Sequence, residues 1–519
     1  MEVELKLLVA PEDLARIDRH PAVRAVRRGG AHRQRLETVY YDTPDGALAR
    51  AGVALRLRHD GKRWVQTLKG GGQAAAGLHA RDEIEWNVAG NAVDVALLDA
   101  TPYAGLFAQG RVRARLRPVF VTEFERTTRM LAFPEGTVAE LALDRGAIRA
   151  GRAVAPISEA EIELKGGDAA RLFACARTLA RDIPLRLGVS SKAERGHALG
   201  RAPAPPRKAR AVPLEPSMTA GAALARIAMA CVAQMQANEE GVRAGGDAEY
   251  LHQLRVGLRR LRACLGLVAL GSSKAAVAPL AEELRWLGGA LGPARDWDVF
   301  MTETFPPLAR RFRQTAGLAS FRARAARTRR AHGEAARAAV SSARYTDLLL
   351  ALGEAFARED LPAFATKAAP PAAAEGGTAP PPRFDAPVGA FAAFVLGERH
   401  RRVRKRGGGV PEATPEERHR VRIAAKKLRY AAEFFAALYP AKRVARYVGA
   451  LEDLQDILGA LNDAAVVDRL LAEVAQGGRP IAAGVDGLVR GWVAAVAQHE
   501  LARFRPAWRT FADAKRFWN

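Results

Sequence analysis

Apolar and charged residues alternate from the first positions of the chain. Glu2, Glu4 and Lys6 fall on one side of a strand and Val3 and Leu5 on the other, because successive strand side chains point to opposite faces. The pattern returns several times. Arg56 and Arg58 alternate in ALRLRH, Glu83 and Glu85 in DEIEW, and Glu161, Glu163 and Lys165 in AEIELKG. One such strand is ordinarily a solvated face, with cross-strand Glu–Arg pairs supporting the sheet. An ordered set of strands, each apolar on one face and like-charged on the other, predicts a closed antiparallel β-barrel with a charged lumen. Around these strands the pattern predicts a helix from Pro11 to about His20, and a basic loop with Arg24, Arg27, Arg28, Arg33 and Arg35. Turns follow at Asp45-Gly46 and Asp60-Gly61, and DAARLFACARTLARDI reads as a helix with Leu172, Cys175 and Leu179 at helical spacing. His59 and His79 lack partners at metal spacing and read as surface residues. The first part is therefore an α+β domain over residues 1–200.

Residues 201–216, RAPAPPRKARAVPLEP, are too proline-rich for a regular helix and read as a linker. From 217 to 519 the period changes to that of helices. This half repeats itself. His252, Arg255, Arg259 and Arg262 return 167 positions later as His419, Arg422, Lys426 and Arg429. LRWLGGALGPARD, ending at Asp296, returns at the same offset as LEDLQDILGALND, ending at Asp463. An unchanged offset predicts an all-α, duplicated helical bundle. Positions i, i+3, i+7 and i+10 share a helix face, so each copy carries one basic stripe. A stripe kept in both copies points to a shared anion site; the alternative packs the two histidines between helices, bonded to Asp296 or Asp463. A Pro/Ala/Gly-rich stretch near 367–383 reads as a disordered loop.

The chain has 519 residues, 80 Lys+Arg against 56 Asp+Glu, and a formal net charge of +24. That charge favours polyanionic partners: nucleic acid, anionic lipid or polyphosphate. The basic stripes lack the aromatic interleaving of single-strand readers, which argues against a specific nucleic-acid partner. No apolar run approaches the roughly 20 residues of a membrane span, and no signal peptide is apparent. Three widely spaced cysteines, Cys175, Cys231 and Cys264, indicate neither a disulfide framework nor a zinc site, which suits a reducing cytoplasm.

The motifs EVELK, YYDTPDGALARAGVALRLR, WVQTLKG, RDEIEW, AELALDRG, AEIELKGG and SKAERG, in that order, resemble the CYTH family. That family has the triphosphate tunnel fold and includes inorganic triphosphatases, thiamine triphosphatases and class IV adenylate cyclases. The resemblance implies Glu2, Glu4, Glu161 and Glu163 as ligands of Mg2+ or Mn2+. It implies Arg56, Arg58, Lys69, Arg81, Arg126, Lys165 and Lys192 as phosphate ligands. Glu2, Glu4, Lys6, Lys69, Glu83, Glu85, Glu140 and Asp144 form the implied catalytic set, with Glu83 and Glu85 either ligands or holders of the arginines. The physics agrees: oxygen ligands suit a hard divalent cation, and Arg and Lys suit phosphate. HQLRVGLRRLRACLGL with ARDWDV, and HRVRIAAKKLRYAAEFF with LGALND, resemble the CHAD domain, a duplicated helical module implicated in binding inorganic polyphosphate. The expectation is a metal-dependent hydrolase of inorganic triphosphate joined to a polyphosphate-binding domain. Adenylate cyclase, thiamine triphosphatase and a non-catalytic scaffold are the alternatives.

Overall fold

A computed structural model describes residues 2–59, 61–108, 110–358, 360–361, 364, 382–476 and 480–518. It divides into two compact units, one of residues 1–205 with 342–357, the other of 206–341 with 358–519.

The strands are β1 (Glu2–Val9), β2 (Arg27–Asp42), β3 (Ala54–His59), β4 (Trp64–Ala75), β5 (Leu78–Val88), β6 (Arg117–Ala132), β7 (Val138–Ala150), β8 (Ala153–Gly166) and β9 (Leu185–Leu187). Helices α1 (Leu14–Arg19), α2 (Pro21–Val26), α3 (Ala47–Arg50), α4 (Ala104–Ala108), α5 (Gly110–Arg113), α6 (Ala170–Asp182) and α7 (Lys192–Ala198) belong to the same unit. The sheet order is β5-β4-β3-β2-β6-β7-β8-β1-β9, and β5 also pairs with β1. Glu2 to Leu5 take β5, while Leu7 to Val9 take β9. Eight antiparallel strands thus close into the expected ring, with the first half of β2 unpaired on its β3 side. Two local expectations change. The basic stretch expected as a loop puts Arg24 in α2 and Arg27 to Arg35 in the first half of β2, paired to β6 across a register shift between Arg28 and His32. The helix expected from Pro11 begins at Leu14.

The ring is filled along half its length. Leu36, Tyr40, Phe120, Phe124, Ile148 and Ile157 pack with Ala193 of α7. These positions share strand faces with Arg126, Asp144 and Glu159, an even number of residues away. Outside, Leu48, Val53, Leu55 and Leu68 pack with Leu98, Phe107 and Val112. Asp42 of the YYDTP motif, fully buried, accepts from the amides of Thr43, Leu48 and Ala49 and so anchors α3.

The second unit holds α8 (Ala220–Arg243), α9 (Ala248–Val268), α10 (Lys274–Val299), α11 (Phe305–Arg311) and α12 (Leu318–Val340). Helix α13 (Ala343–Phe356) falls within the expected helical half but packs in the first unit. There Arg177 of α6 pairs with Asp347 at 3.0 Å and Glu354 at 2.9 Å. A Cβ at Gly353 would lie 2.1 Å from the Phe173 ring, so only glycine admits this approach. Helices α14 (Val388–Gly407), α15 (Pro415–Phe434), α16 (Ala441–Gln476) and α17 (Ala483–Asp513) complete the second unit. The repeated stripes lie on α9 and α15, and the second repeated motifs on α10 and α16. Residues 206–216 lack regular structure but are held down: Val212 and Leu214 are buried, and Asn238 bonds both the amide and the carbonyl of Arg207 at 2.9 Å. The disordered loop expected near 367–383 falls outside the described residues except for its last two positions. Among the described residues no helix is long and apolar enough to cross a membrane. Cys175, Cys231 and Cys264 are free, buried thiols.

Candidate active site

Cross-strand register aligns the alternating charges. Glu4 faces Glu163, which faces Glu140; Lys6 faces Glu161; Glu159 faces Asp144, which faces Arg126. Partners in an antiparallel ladder share a face, so all of these point into the ring. Of these, Glu4, Lys6, Arg126, Glu140, Glu161 and Glu163 bound a cavity of about 250 Å³. Of the sequence-predicted residues, Glu2, Glu4, Lys6, Arg56, Arg58, Lys69, Arg81 and Glu83 line it, as do Glu85, Arg126, Glu140, Glu161, Glu163, Lys165 and Lys192. Asp144 does not; it lies fully buried behind Arg126.

The charges sort into three groups. At the floor, Asp144, Glu159 and Glu161 converge closely enough to hold a cation. Four cations already hold them. Lys192 lies 2.7 Å from Asp144, 3.0 Å from Glu161 and against Glu159. Arg126 is bidentate to Asp144 at 2.6 and 2.7 Å and reaches Glu161 at 2.5 Å. Lys6 bonds Glu161 and lies 3.4 Å from Glu159; Arg195 bonds Glu159 at 2.7 Å. Burial disfavours charge on Glu161, yet Lys192, Lys6 and Arg126 outweigh it and hold its pKa well below the usual range. Burial likewise opposes the Lys6 ammonium, and Glu159, Glu161 and Glu4 overcome it to raise its pKa. These three carboxylates share four cations, and Glu161, expected as a metal ligand, lies among them.

On the second wall Glu2, Glu4, Glu140 and Glu163 face few cations. Lys69 is 2.5 Å from Glu2, and Lys165 is 2.6 Å from Glu163. Among the described residues Glu140 is in no ion pair. Burial pushes the Glu163 carboxyl up, Lys165 opposes this, and Glu2 and Glu140 add like charge. Neighbouring Cβ atoms in such rows lie about 4.5–5.5 Å apart, so rotamer changes can bring these carboxylates onto one ion. This excess negative charge on oxygen donors fits a hard divalent cation.

The third wall is cationic. Arg56 is 3.1 Å from Glu83 and 3.7 Å from Glu85; Lys69 is 3.0 Å from Glu83. Glu83 and Glu85 therefore hold the cations. Arg58 differs: its Nε donates to Thr38 Oγ1 at 3.2 Å, and among the described residues it pairs with no carboxylate. Burial, with Arg56 and Arg126 nearby, pushes its pKa down to about 10, the signature of a guanidinium lacking a counter-ion. Tyr40 lies alongside; burial raises its phenol, but Arg56 and Arg58 bring it below its ordinary value.

Sequence reasoning missed Glu159, Tyr40, Ser191 and His79. Glu159 extends the Glu161–Glu163 alternation by one step. His79, expected at the surface, is buried and bonds the Gly188 carbonyl at 2.9 Å.

In the second unit the two stripes differ. On α9, Arg255 and Arg262 lie against α10 where Gly288 and Gly292 leave room; a Cβ at either would sit 3.3 Å from a guanidinium nitrogen. Burial, then Arg259, push Arg255 down to about 10, and burial with Arg295 pushes His252 down to about 4. Arg259 donates to Tyr430 of α15 at 3.3 Å. On α15, Arg422 and Lys426 occupy the expected face, His419 bonds Asn462 at 3.0 Å, and Arg429 pairs with Glu433 and Glu452. Of the two aspartates expected beside the histidines, Asp296 pairs with Arg469 at 2.6 Å, and the Asp463 side chain lies outside the described residues. Arg285, Arg295, Arg399, Arg402 and Lys427 extend the positive surface, and the sequence stripes did not include them.

The family model for the CYTH domain matches residues 1–197, and that for the CHAD domain matches residues 226–472. The chain joins a CYTH domain to a CHAD domain. An inorganic triphosphatase of Haemophilus influenzae is 34% identical over 205 residues, 38% of this CYTH–CHAD chain and 55% of that protein. The match thus spans about half the length of the curated relative. The CHAD domain of the plant Ricinus communis is 32% identical with a TM-score of 0.50, covering 60% of this chain and 98% of its own. A Hippeastrum protein described by its dominant triphosphatase activity is 20% identical with a TM-score of 0.27, covering 39% of this chain and 97% of its own.

Proposed function

We propose that the CYTH domain hydrolyses inorganic triphosphate to pyrophosphate and phosphate with Mg2+ or Mn2+, and that the CHAD domain binds inorganic polyphosphate. The observation that carries the first part is Arg58, a half-buried guanidinium with no carboxylate partner among the described residues, facing carboxylates in excess across one small cavity. A trianion or tetra-anion bridged by a divalent cation satisfies both walls at once. Arg58, Arg56, Arg126, Lys69 and Arg81 bind phosphate oxygens, with Lys165 at the exposed rim. Glu2, Glu4, Glu140 and Glu163 hold the divalent ion. When bound, that ion supplies charge neutralisation and an acidified water. The floor network fixes Arg126 and Lys192, so the substrate's oxygens meet preset donors. The filled far half of the ring stops the substrate at that floor.

The cavity size supports a small substrate. About 250 Å³ lies below the roughly 300 Å³ at which pockets for drug-sized ligands begin. Trp64 and Trp86, the aromatic residues considered for a base pocket, are not among its lining residues; Tyr40 is. This favours inorganic triphosphate over ATP or thiamine triphosphate. The crowding of His252, Arg255, Arg259 and Arg262 supports a polyanion at the CHAD domain, and the +24 net charge is consistent with it.

The test is phosphate release from inorganic triphosphate, ATP and thiamine triphosphate, side by side, with Mg2+ or Mn2+ and with chelator. Chelator-sensitive release from inorganic triphosphate alone is expected. Release mainly from ATP or thiamine triphosphate would replace the substrate assignment, and no release from any would leave a polyphosphate scaffold.

A further inference from the structure

The first half of β2 belongs to neither the cavity lining nor the apolar core. Residues 28–33 and Arg35 are exposed. They pair with β6, whereas β3 joins β2 only from Glu37 onward. This half of β2 is therefore an exposed edge of the wall, continued by β6, β7 and β8, at the end where Glu140 and Glu163 lie. Its faces follow from the register. Gln34 is opposite Arg126, His32 opposite Thr128 and Arg28 opposite Met130. Met130 in turn is opposite Glu140 and, through it, Glu163. Gln34, His32 and Arg28 thus share the lumen face. Thr128 and Met130 stand two and four residues beyond Arg126, about 7 and 14 Å along the strand at about 3.4 Å per residue.

The two faces of this edge differ in charge. On the outer face Arg27 and Arg33 lie near Asp18, which is bidentate to Arg129. On the lumen face Arg28 and His32 have no such acid; among the described residues Arg28 is in no ion pair. Gly29, with φ +69°, and Gly30 loop out between them, opposite Arg129. Bulges of this kind re-aim flanking side chains.

We propose that Arg28 and His32 form a distal subsite for the outer phosphate groups of linear polyphosphates longer than triphosphate. The subsite rests on the cavity's being a triphosphate site. One polyanion, its end phosphates at Arg126 and Arg58, continues up the lumen face to His32 and then Arg28. That continuity selects polyphosphate over a separate macromolecular partner.

The experiment compares the full chain with the Arg28→Ala/His32→Ala double variant, and with Arg28→Glu, on triphosphate, on a longer linear polyphosphate and on ATP. For the double variant kcat/KM on triphosphate should stay within about two-fold, while KM for the longer chain should rise about three- to ten-fold, the range for exposed charged contacts. Arg28→Glu should raise it further, and added salt should shrink the difference. Equal losses on triphosphate and the longer chain, no change on either, or a loss confined to ATP would overturn the subsite. Failure of the wild-type chain to hydrolyse triphosphate would overturn the underlying reading instead, and the subsite with it.

Discussion

Replacing Gly196 with alanine puts a methyl group where there is no room. Its Cβ would lie 2.2 Å from Cε2 of Phe120, against the roughly 3.5–4.0 Å of an ordinary carbon contact. One side must move by about 1.3 Å or more. Phe120 has little freedom, because it is 3% exposed, stacked on Tyr40 at 4.5 Å and met edge-on by His197 at 5.1 Å. Helix α7 moves instead. One turn earlier it carries Lys192, whose ammonium sits 2.7 Å from Asp144 and 3.0 Å from Glu161. A shift above 1 Å breaks those contacts and takes the Lys192 ammonium out of the floor of the site. Overpacking costs about 1–3 kcal/mol, and a 1 Å misplacement of a site costs about 10²-fold in rate. Gly196→Ala should therefore lower Tm by about 2–4 °C per kcal/mol, and triphosphate turnover by about two orders of magnitude. Gly105→Ala, where a Cβ meets open space, is the control. Scanning calorimetry and phosphate release read the two effects. Full activity in Gly196→Ala with a control-like Tm would refute the claim that α7 sets the floor of the site.

Glu4→Gln should abolish metal-dependent turnover while leaving retention of long-chain polyphosphate intact; surviving turnover would move the metal elsewhere. Arg259→Ala with Lys426→Ala should weaken retention of long-chain polyphosphate by the full chain and leave triphosphate hydrolysis unchanged, as measured by filter retention and phosphate release. His252 gives a pH signature. Its imidazole, held at about 4, takes up a proton on unfolding, so its contribution to stability is present above about pH 6.5 and is lost as the pH falls towards 4. Chemical denaturation at pH 7 and pH 5 should show a smaller acid loss in His252→Gln than in wild type, and equal losses would contradict the burial assignment.

The ring was legible because its charges alternate: a period of two on Glu2, Glu4, Lys6 and on Glu161, Glu163, Lys165 places them on one face without any tertiary knowledge. Which carboxylate faces an ammonium and which faces another carboxylate was not legible, because that depends on register. Glu161 and Glu163 read alike in sequence, yet the first faces Lys6 and the second Glu4. Arg27 to Arg35 read as a loop because Gly29-Gly30 interrupts the strand pattern, whereas the ladder with β6 carries the chain across the interruption. His79 read as a surface residue because its partner is a backbone carbonyl, which leaves no mark in side-chain spacing. Glu159 was legible and missed, one alternation before its neighbours.

Helix α13 has a consequence for synthesis. The CYTH unit draws residues 342–357 from within the sequence that otherwise builds the helical unit. On the ribosome, residues 1–205 emerge with the α6 surface around Phe173 still lacking its cover. At about 5–20 residues per second, roughly 8–30 s pass before Phe356 is made, and throughout that interval the first-made unit is exposed on one face. The order of manufacture and the order of completion are therefore different: the half that begins first waits for a helix encoded two-thirds of the way along the chain.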